Sequence, residues 1–155
     1  MNNTEKAENV ALKLLRRRYS KRKLCQKLRE KGFSAEIIQE TADKMENLGY
    51  INDSDYARAF VHDCILLNKY GPRKIKQALF NRGIPGTLTD EALSEYDDEV
   101  HIENIKTLLL RFSGGEKLSP EDAAKFYRRM ESRGFLRHHI EEVLSTQIED
   151  NYLEV

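Results

Sequence analysis

The chain is poor in the residues that would staple, kink or flatten a fold. Its two cysteines, Cys25 and Cys64, both fall on apolar positions of helical patterns, where a free thiol acts as a small hydrophobe. No disulfide framework is expected from them. Only three prolines and eight glycines are present, and long alternating runs of Val, Ile and Thr are missing, which argues against an all-β fold. No stretch approaches the roughly 20 apolar residues that a membrane-spanning helix needs, and the N-terminus carries no apolar segment of signal-peptide length. A reducing cytoplasm is the expected location, with no membrane contact.

What is present is charge. Of the 155 residues 34% are charged and 39% hydrophobic, with a mean hydropathy of −0.69, so the apolar residues must be gathered on stripes, as amphipathic helices gather them. The formal net charge is zero, but its distribution is lopsided. Lys13 to Lys31 is basic apart from Glu30, whereas Thr87 to Asn104 holds only acidic charge, through Asp90, Glu91, Glu95, Asp97, Asp98, Glu99 and Glu103. An anion-seeking end and an acidic middle therefore coexist in one neutral chain.

The apolar periodicity predicts helix after helix. Thr4 is the expected N-cap of the first, with Arg16-Arg17-Arg18 in its last turn. Ser20 caps a second helix carrying Leu24 and Leu28, and Ser34 a third carrying Ile37, Ile38, Met45 and Leu48. The cycle restarts at Asn52 or Asp53, breaks at Gly71-Pro72, resumes through Ile75 and Leu79, and closes with a short acidic helix after Thr87. A third round begins near Asp98 and passes a Ser113-Gly114-Gly115 hinge. It restarts at Ser119-Pro120, an N-cap followed by proline at the first helical position, and ends in a helix with Ile140, Val143 and Leu144.

Three of the helix-ending glycines, Gly32, Gly83 and Gly134, fall at a constant interval of 51 residues. Alignment on them superposes Leu24, Ile75 and Phe126, then Leu28, Leu79 and Met130. In the first two rounds it matches Tyr19 with Tyr70, Arg22 with Arg73, Lys23 with Lys74 and Gln26 with Gln77. The reading is an all-α protein of nine helices in three tandem three-helix repeats, 1-50, 51-97 and 98-148, followed by an acidic tail, 149-155. Each repeat is too small to bury its apolar face alone, so they should stack into an elongated array without a sheet.

Several segments in order carry a resemblance to a known family. Arg18-Tyr19-Ser20 through Leu24 to Lys31-Gly32-Phe33, then Gly49-Tyr50-Ile51-Asn52-Asp53 with Tyr56-Ala57 and Phe60-Val61, resembles the opening of a RecX protein. Gly71-Pro72-Arg73-Lys74-Ile75 through Leu79 to Arg82-Gly83-Ile84 is similar to that family's central block, and Arg133-Gly134-Phe135 to its third-repeat signature. Lys23 stands where the family usually shows a glutamate, and the acidic tail matches no family pattern. The resemblance implies a regulator, without catalytic activity, of the RecA recombinase. Such a regulator lies in the helical groove of the RecA filament on DNA and restrains its ATPase, strand-exchange and coprotease activities.

The candidate contact residues are cations: Arg17 and Arg18 at the end of the first helix with Arg22 and Lys23 on the second, then Arg73, Lys74, Lys76 and Arg82 on the equivalent helix of the second repeat, then Arg128, Arg129 and Arg133 on that of the third. They would meet backbone phosphates, single- or double-stranded, or an acidic recombinase surface; the bland alternative is a solvated helix face. Ser20 to Leu48 could also pass for a DNA-reading helix-turn-helix of a repressor. Its reading helix, however, would offer Glu36, Gln39, Glu40 and Asp43 to phosphates and repel them. No catalytic residue, cofactor or metal site is expected. His62, His101, His138 and His139 show no ligand spacing, and adjacent His138 and His139 should point to different helix faces. Asp53 and Asp55 have a capping role at hand. The acidic stretch reads as a solvated linker or as a patch competing for basic surfaces. Tyr19 and Tyr70 read as packing residues rather than base-stacking ones. A monomer is expected.

Overall fold

A computed structural model describes residues 1–147. Over these residues the chain forms nine helices: α1 (Asn3–Leu14), α2 (Lys21–Glu30), α3 (Ala35–Asn47), α4 (Asp53–Leu66), α5 (Pro72–Asn81), α6 (Gly86–Leu93), α7 (Asp98–Ser113), α8 (Pro120–Ser132) and α9 (Arg137–Leu144). Among the described residues there is no strand; one isolated backbone bond joins Leu118 N–H to the Gln147 carbonyl. No helix is long and apolar enough to cross a membrane. The acidic tail expected at 149-155 lies outside the described residues.

The helix starts follow the capping chemistry that the sequence advertises. Ser20, Ser34 and Ser119 each accept the backbone N–H three residues on, satisfying a donor that the first turn leaves open. Pro120 follows its cap directly, with Glu121 and Asp122 against the positive end of α8. Two expectations fail at α1. Its cap is Asn2, which accepts from Glu5 N–H, and Thr4 lies inside the helix. The helix ends at Leu14, so Arg16, Arg17 and Arg18 fall in the turn beyond it rather than in its last turn.

Helices α1, α2 and α3 pack on one another around Ala11, Leu24, Leu28, Ile38, Met45 and Ile51, all buried. Leu24 and Leu28 are fully enclosed, each worth about 1.5–3 kcal/mol of apolar burial. Leu48, expected on the same stripe, is 59% exposed because it sits past the end of α3 as its C-cap. Helices α7, α8 and α9 enclose a second core of Ile102, Ile105, Leu109, Phe126, Met130, Phe135, Ile140 and Val143. In the middle helices Val61, Ile65, Ile75, Leu79 and Ile84 are buried. The acidic stretch is not a free linker. Asp90 and Glu91 lie on α6, Asp97 caps α7 by accepting from Val100 N–H, and Asp98 and Glu99 form the first turn of α7.

By contacts the chain divides into two compact bodies that cut across the middle triplet. Among the described residues the first comprises Met1–Phe60 with Ala78–Ala92, and the second Val61–Gln77 with 93–147.

Candidate cationic cleft and family assignment

In the first body the N-terminus of α2 meets the turn that ends α5. Ser20 is 1% exposed, and its hydroxyl accepts from Lys23 N–H while donating to the Arg82 carbonyl at 2.9 Å. Asp53, expected to serve its own helix, instead accepts from Lys21 N–H at 3.0 Å, leaving Asn52 to cap α4 by accepting from Asp55 N–H. The aliphatic stem of Arg22 lies on Gly83, so close that a Cβ there would stand 2.1 Å from the Arg22 Cδ.

A cleft of about 530 Å³ opens beside this contact, lined by Arg18, Arg22, Lys23 and Arg82 together with Tyr19, Gln26, Tyr56 and Asn81. No carboxylate lines it. Arg82 donates to the Tyr56 hydroxyl at 2.7 Å and stacks over Phe60 at 4.5 Å from the ring centre. Its head is therefore fixed by the cleft wall. Arg18, Arg22 and Lys23 are exposed. Tyr56 and Gln26 were not among the expected contact residues. The match of Gln26 with Gln77 in the repeat was the one hint, and nothing in sequence spacing places Tyr56 beside Arg82.

The second body contains the same contact 51 positions later, from Gly71 to Gly134. Gly71 N–H donates to the Arg133 carbonyl at 2.8 Å and Arg73 N–H to the Gly134 carbonyl at 2.9 Å. Arg133 donates to the carbonyls of Asn68 and Lys69, while Arg133 and Lys74 both approach the Tyr70 ring. The remaining expected cations do not line the 530 Å³ cleft. Arg17 lines an adjoining cleft of about 300 Å³, which shares Arg18, Tyr19 and Tyr56 with the first and also holds Arg16, Tyr50 and Asp55. Arg73 and Lys76 are exposed on α5. Arg129 stacks over Phe112, and Arg128 edges a mostly apolar groove with Pro120, Tyr127 and Leu144. Arg133 and Arg82 are thus tied to the protein's own carbonyls and phenol as well as being cations.

The acidic residues of α3 face solvent, as the composition argued. Glu36 and Glu40 are exposed, and Asp43 and Glu46 both bind Lys21 Nζ, at 2.8 and 3.1 Å. The Asp43 carboxylate raises Lys21 above the ordinary ammonium value, and Lys21 lowers Asp43 in return.

One histidine pattern departs from the spacing argument. His138 and His139 stand in the first turn of α9, where no preceding turn crowds the side chains, and their ring centres are 4.2 Å apart. His139 is 1% exposed and also lies 6.1 Å from the His101 ring. Burial, aided by His139 and opposed by Asp98 and Asp97, lowers His101 below the ordinary imidazole value.

These features define a class: an all-helical protein of tandem three-helix units whose inter-repeat contact gathers cations around an open cleft. Comparison narrows the class. Residues 7–45 match the model of the RecX first three-helix domain and 52–93 that of the second. The chain is 32% identical over 141 residues to the regulatory protein RecX of Chlorobium phaeobacteroides, covering 90% of this chain and 92% of the relative. It is 33% identical to that of Legionella pneumophila, covering 96% and 98%. The fold is also that of a crystal structure of RecX from Lactobacillus salivarius, with a TM-score of 0.85 at 24% identity, covering 93% of this chain and 96% of that one. The chain belongs to the RecX family of regulatory proteins.

Proposed function

We propose that this protein is a non-catalytic, cytoplasmic regulator of a RecA-type recombinase that binds the recombinase filament in its helical groove and restrains its ATPase, strand-exchange and coprotease activities. The observation that carries this reading is the carboxylate-free cleft in which Arg18, Arg22 and Lys23 stand exposed around Tyr19 and Tyr56. Such a surface suits repeated acceptors, either backbone phosphates or acidic residues on successive protomers, and exposed cations gain affinity there by releasing counterions. The repeats act as 1-50, 51-97 and 98-148, so Arg73 and Lys74 offer the equivalent cations one repeat later. A helix-turn-helix repressor is disfavoured because α3 presents Glu36 and Glu40 to solvent.

The test is a titration of the monomeric protein onto RecA-coated single-stranded DNA, with bare DNA as the control, at roughly 50 and 200 mM salt. Lys23→Glu and Arg22→Glu should each weaken filament binding about tenfold at the lower salt, and the combination with Arg73→Glu more than either. The salt slope should flatten in parallel. Helicity is checked first, because the Arg22 stem also packs on Gly83. A regulator lowers RecA's DNA-dependent ATP hydrolysis at less than one molecule per protomer. Equal affinities and slopes for wild type and variants would reduce the cations to a solvated face, and stronger binding to bare DNA than to the filament would reject the recombinase as partner.

A further inference from the structure

The second body holds a cluster that the regulatory reading does not use. Asp98 opens α7, and His138 and His139 open α9. One ligand-type atom from each of the three lies within 4.8 Å of those of the other two. The buried member is His139, at 1% exposure, and neither of its ring nitrogens has a hydrogen-bond partner. Its Nε2 stands 3.3 Å from Asp98 Oδ1, close enough for a shared ligand but misaligned for a hydrogen bond. An imidazole enclosed in this way forfeits about 1–3 kcal/mol for each unpaired nitrogen. Buried imidazole nitrogens are ordinarily paired, by a carbonyl, a hydroxyl or a bound ion.

We propose that Asp98, His138 and His139 form a binding site for a divalent transition ion of the zinc class, joining the first turn of α9 to the first turn of α7. Two imidazole nitrogens and one carboxylate suit a borderline ion, whereas calcium and magnesium take oxygen donors. The spacing suits it too. Bonds of about 2.0–2.1 Å at tetrahedral angles place neighbouring ligand atoms about 3.3 Å apart, which is the separation of His139 Nε2 from Asp98 Oδ1. His138 is exposed and free to rotate the remaining distance inward. Asp98 is available because capping of α7 falls to Asp97, and its carboxylate is 80% exposed. Water would complete the fourth position. The ion would give His139 Nε2 the partner it lacks and clamp two helix starts that are remote in sequence, so that its binding adds to the stability of the second body.

The experiment uses the full-length chain without an affinity tag, stripped with a chelator and titrated with Zn²⁺ by calorimetry and with Co²⁺ by visible absorption. One ion per chain should bind, Co²⁺ should give the intense ligand-field bands of tetrahedral nitrogen and oxygen coordination, and the unfolding midpoint should rise with Zn²⁺ and return with chelator. Asp98→Asn and His138→Ala alter exposed side chains and leave the core intact; each should weaken Zn²⁺ binding at least about tenfold. His62→Ala, at a histidine paired with Tyr96 rather than with this cluster, should leave it unchanged. Absence of saturable binding by the folded wild type overturns the proposal, as does equal affinity of wild type, Asp98→Asn and His138→Ala.

Discussion

The two inter-repeat contacts are built from equivalent positions, and the residue at the start of the helix differs between them. In the first body position 20 is serine, and the link to the following turn runs through a side chain, from the Ser20 hydroxyl to the Arg82 carbonyl. In the second body the equivalent position is Gly71, and the backbones meet directly, through Gly71 N–H to the Arg133 carbonyl and Arg73 N–H to the Gly134 carbonyl. A Cβ on Gly71 would stand 2.3 Å from the backbone of Gly134 and Phe135, so no side chain fits there. The hydroxyl acts as a spacer. With it the start of the helix reaches the turn through a side chain, beside the cationic cleft; without it the two backbones bond directly.

Substitutions at the equivalent glycines should separate the two contacts most widely. Gly134 has φ +89°, and a Cβ on it would meet the backbone nitrogen of Lys74 at 2.3 Å. Gly134→Ala should therefore cost about 4 kcal/mol in urea unfolding, because two backbones have to part as well as a residue adopting the left-handed region. Ser20→Ala comes next. It removes a helix cap and leaves the Arg82 carbonyl without the hydroxyl, a loss of about 2–3 kcal/mol by the same measurement. Gly83→Ala should cost least, about 1–2 kcal/mol. Its φ of +78° carries the same backbone penalty, but the obstacle is a single side chain, Arg22, whose Cδ and Cγ can swing away, leaving its Cβ at 2.7 Å to give by a small shift. If Gly83→Ala proved as damaging as Gly134→Ala, the spacer account of the first contact would be wrong.

The helices and their order were legible because glycine, serine and proline act through local backbone chemistry. Ser119-Pro120 starts α8 for reasons contained within four residues. The fixed interval between Gly32, Gly83 and Gly134 likewise exposed the repeat without any knowledge of contacts. What failed was local competition and distant pairing. Asn2 captures the start of α1 two residues before Thr4, which therefore lies inside the helix. Asp53 serves α2 rather than α4, and Arg133 turns to carbonyls at 68 and 69, because partners more than 30 residues away leave no mark on periodicity. Of the cationic candidates in the first body, Arg18, Arg22, Lys23 and Arg82 line one cleft, a grouping that sequence spacing alone did not give. The histidine cluster was hidden for both reasons: Asp98 is remote in sequence, and the first turn of α9 lets neighbouring rings converge.

The start of α2 has a further consequence, for how the chain acquires its structure. Of the first donors of that helix, Lys21 N–H is satisfied by Asp53, and the hydroxyl that satisfies Lys23 N–H is itself anchored on the Arg82 carbonyl. Both anchors lie beyond residue 50. A ribosome that has delivered only the first three helices has therefore delivered a second helix with its leading end unfinished, and the missing pieces arrive some thirty residues apart. The opening repeat has its core but lacks these two anchors until its successor is present, so proteolytic nicking between residues 50 and 82 should loosen the N-terminal side of the cut as well as the C-terminal side.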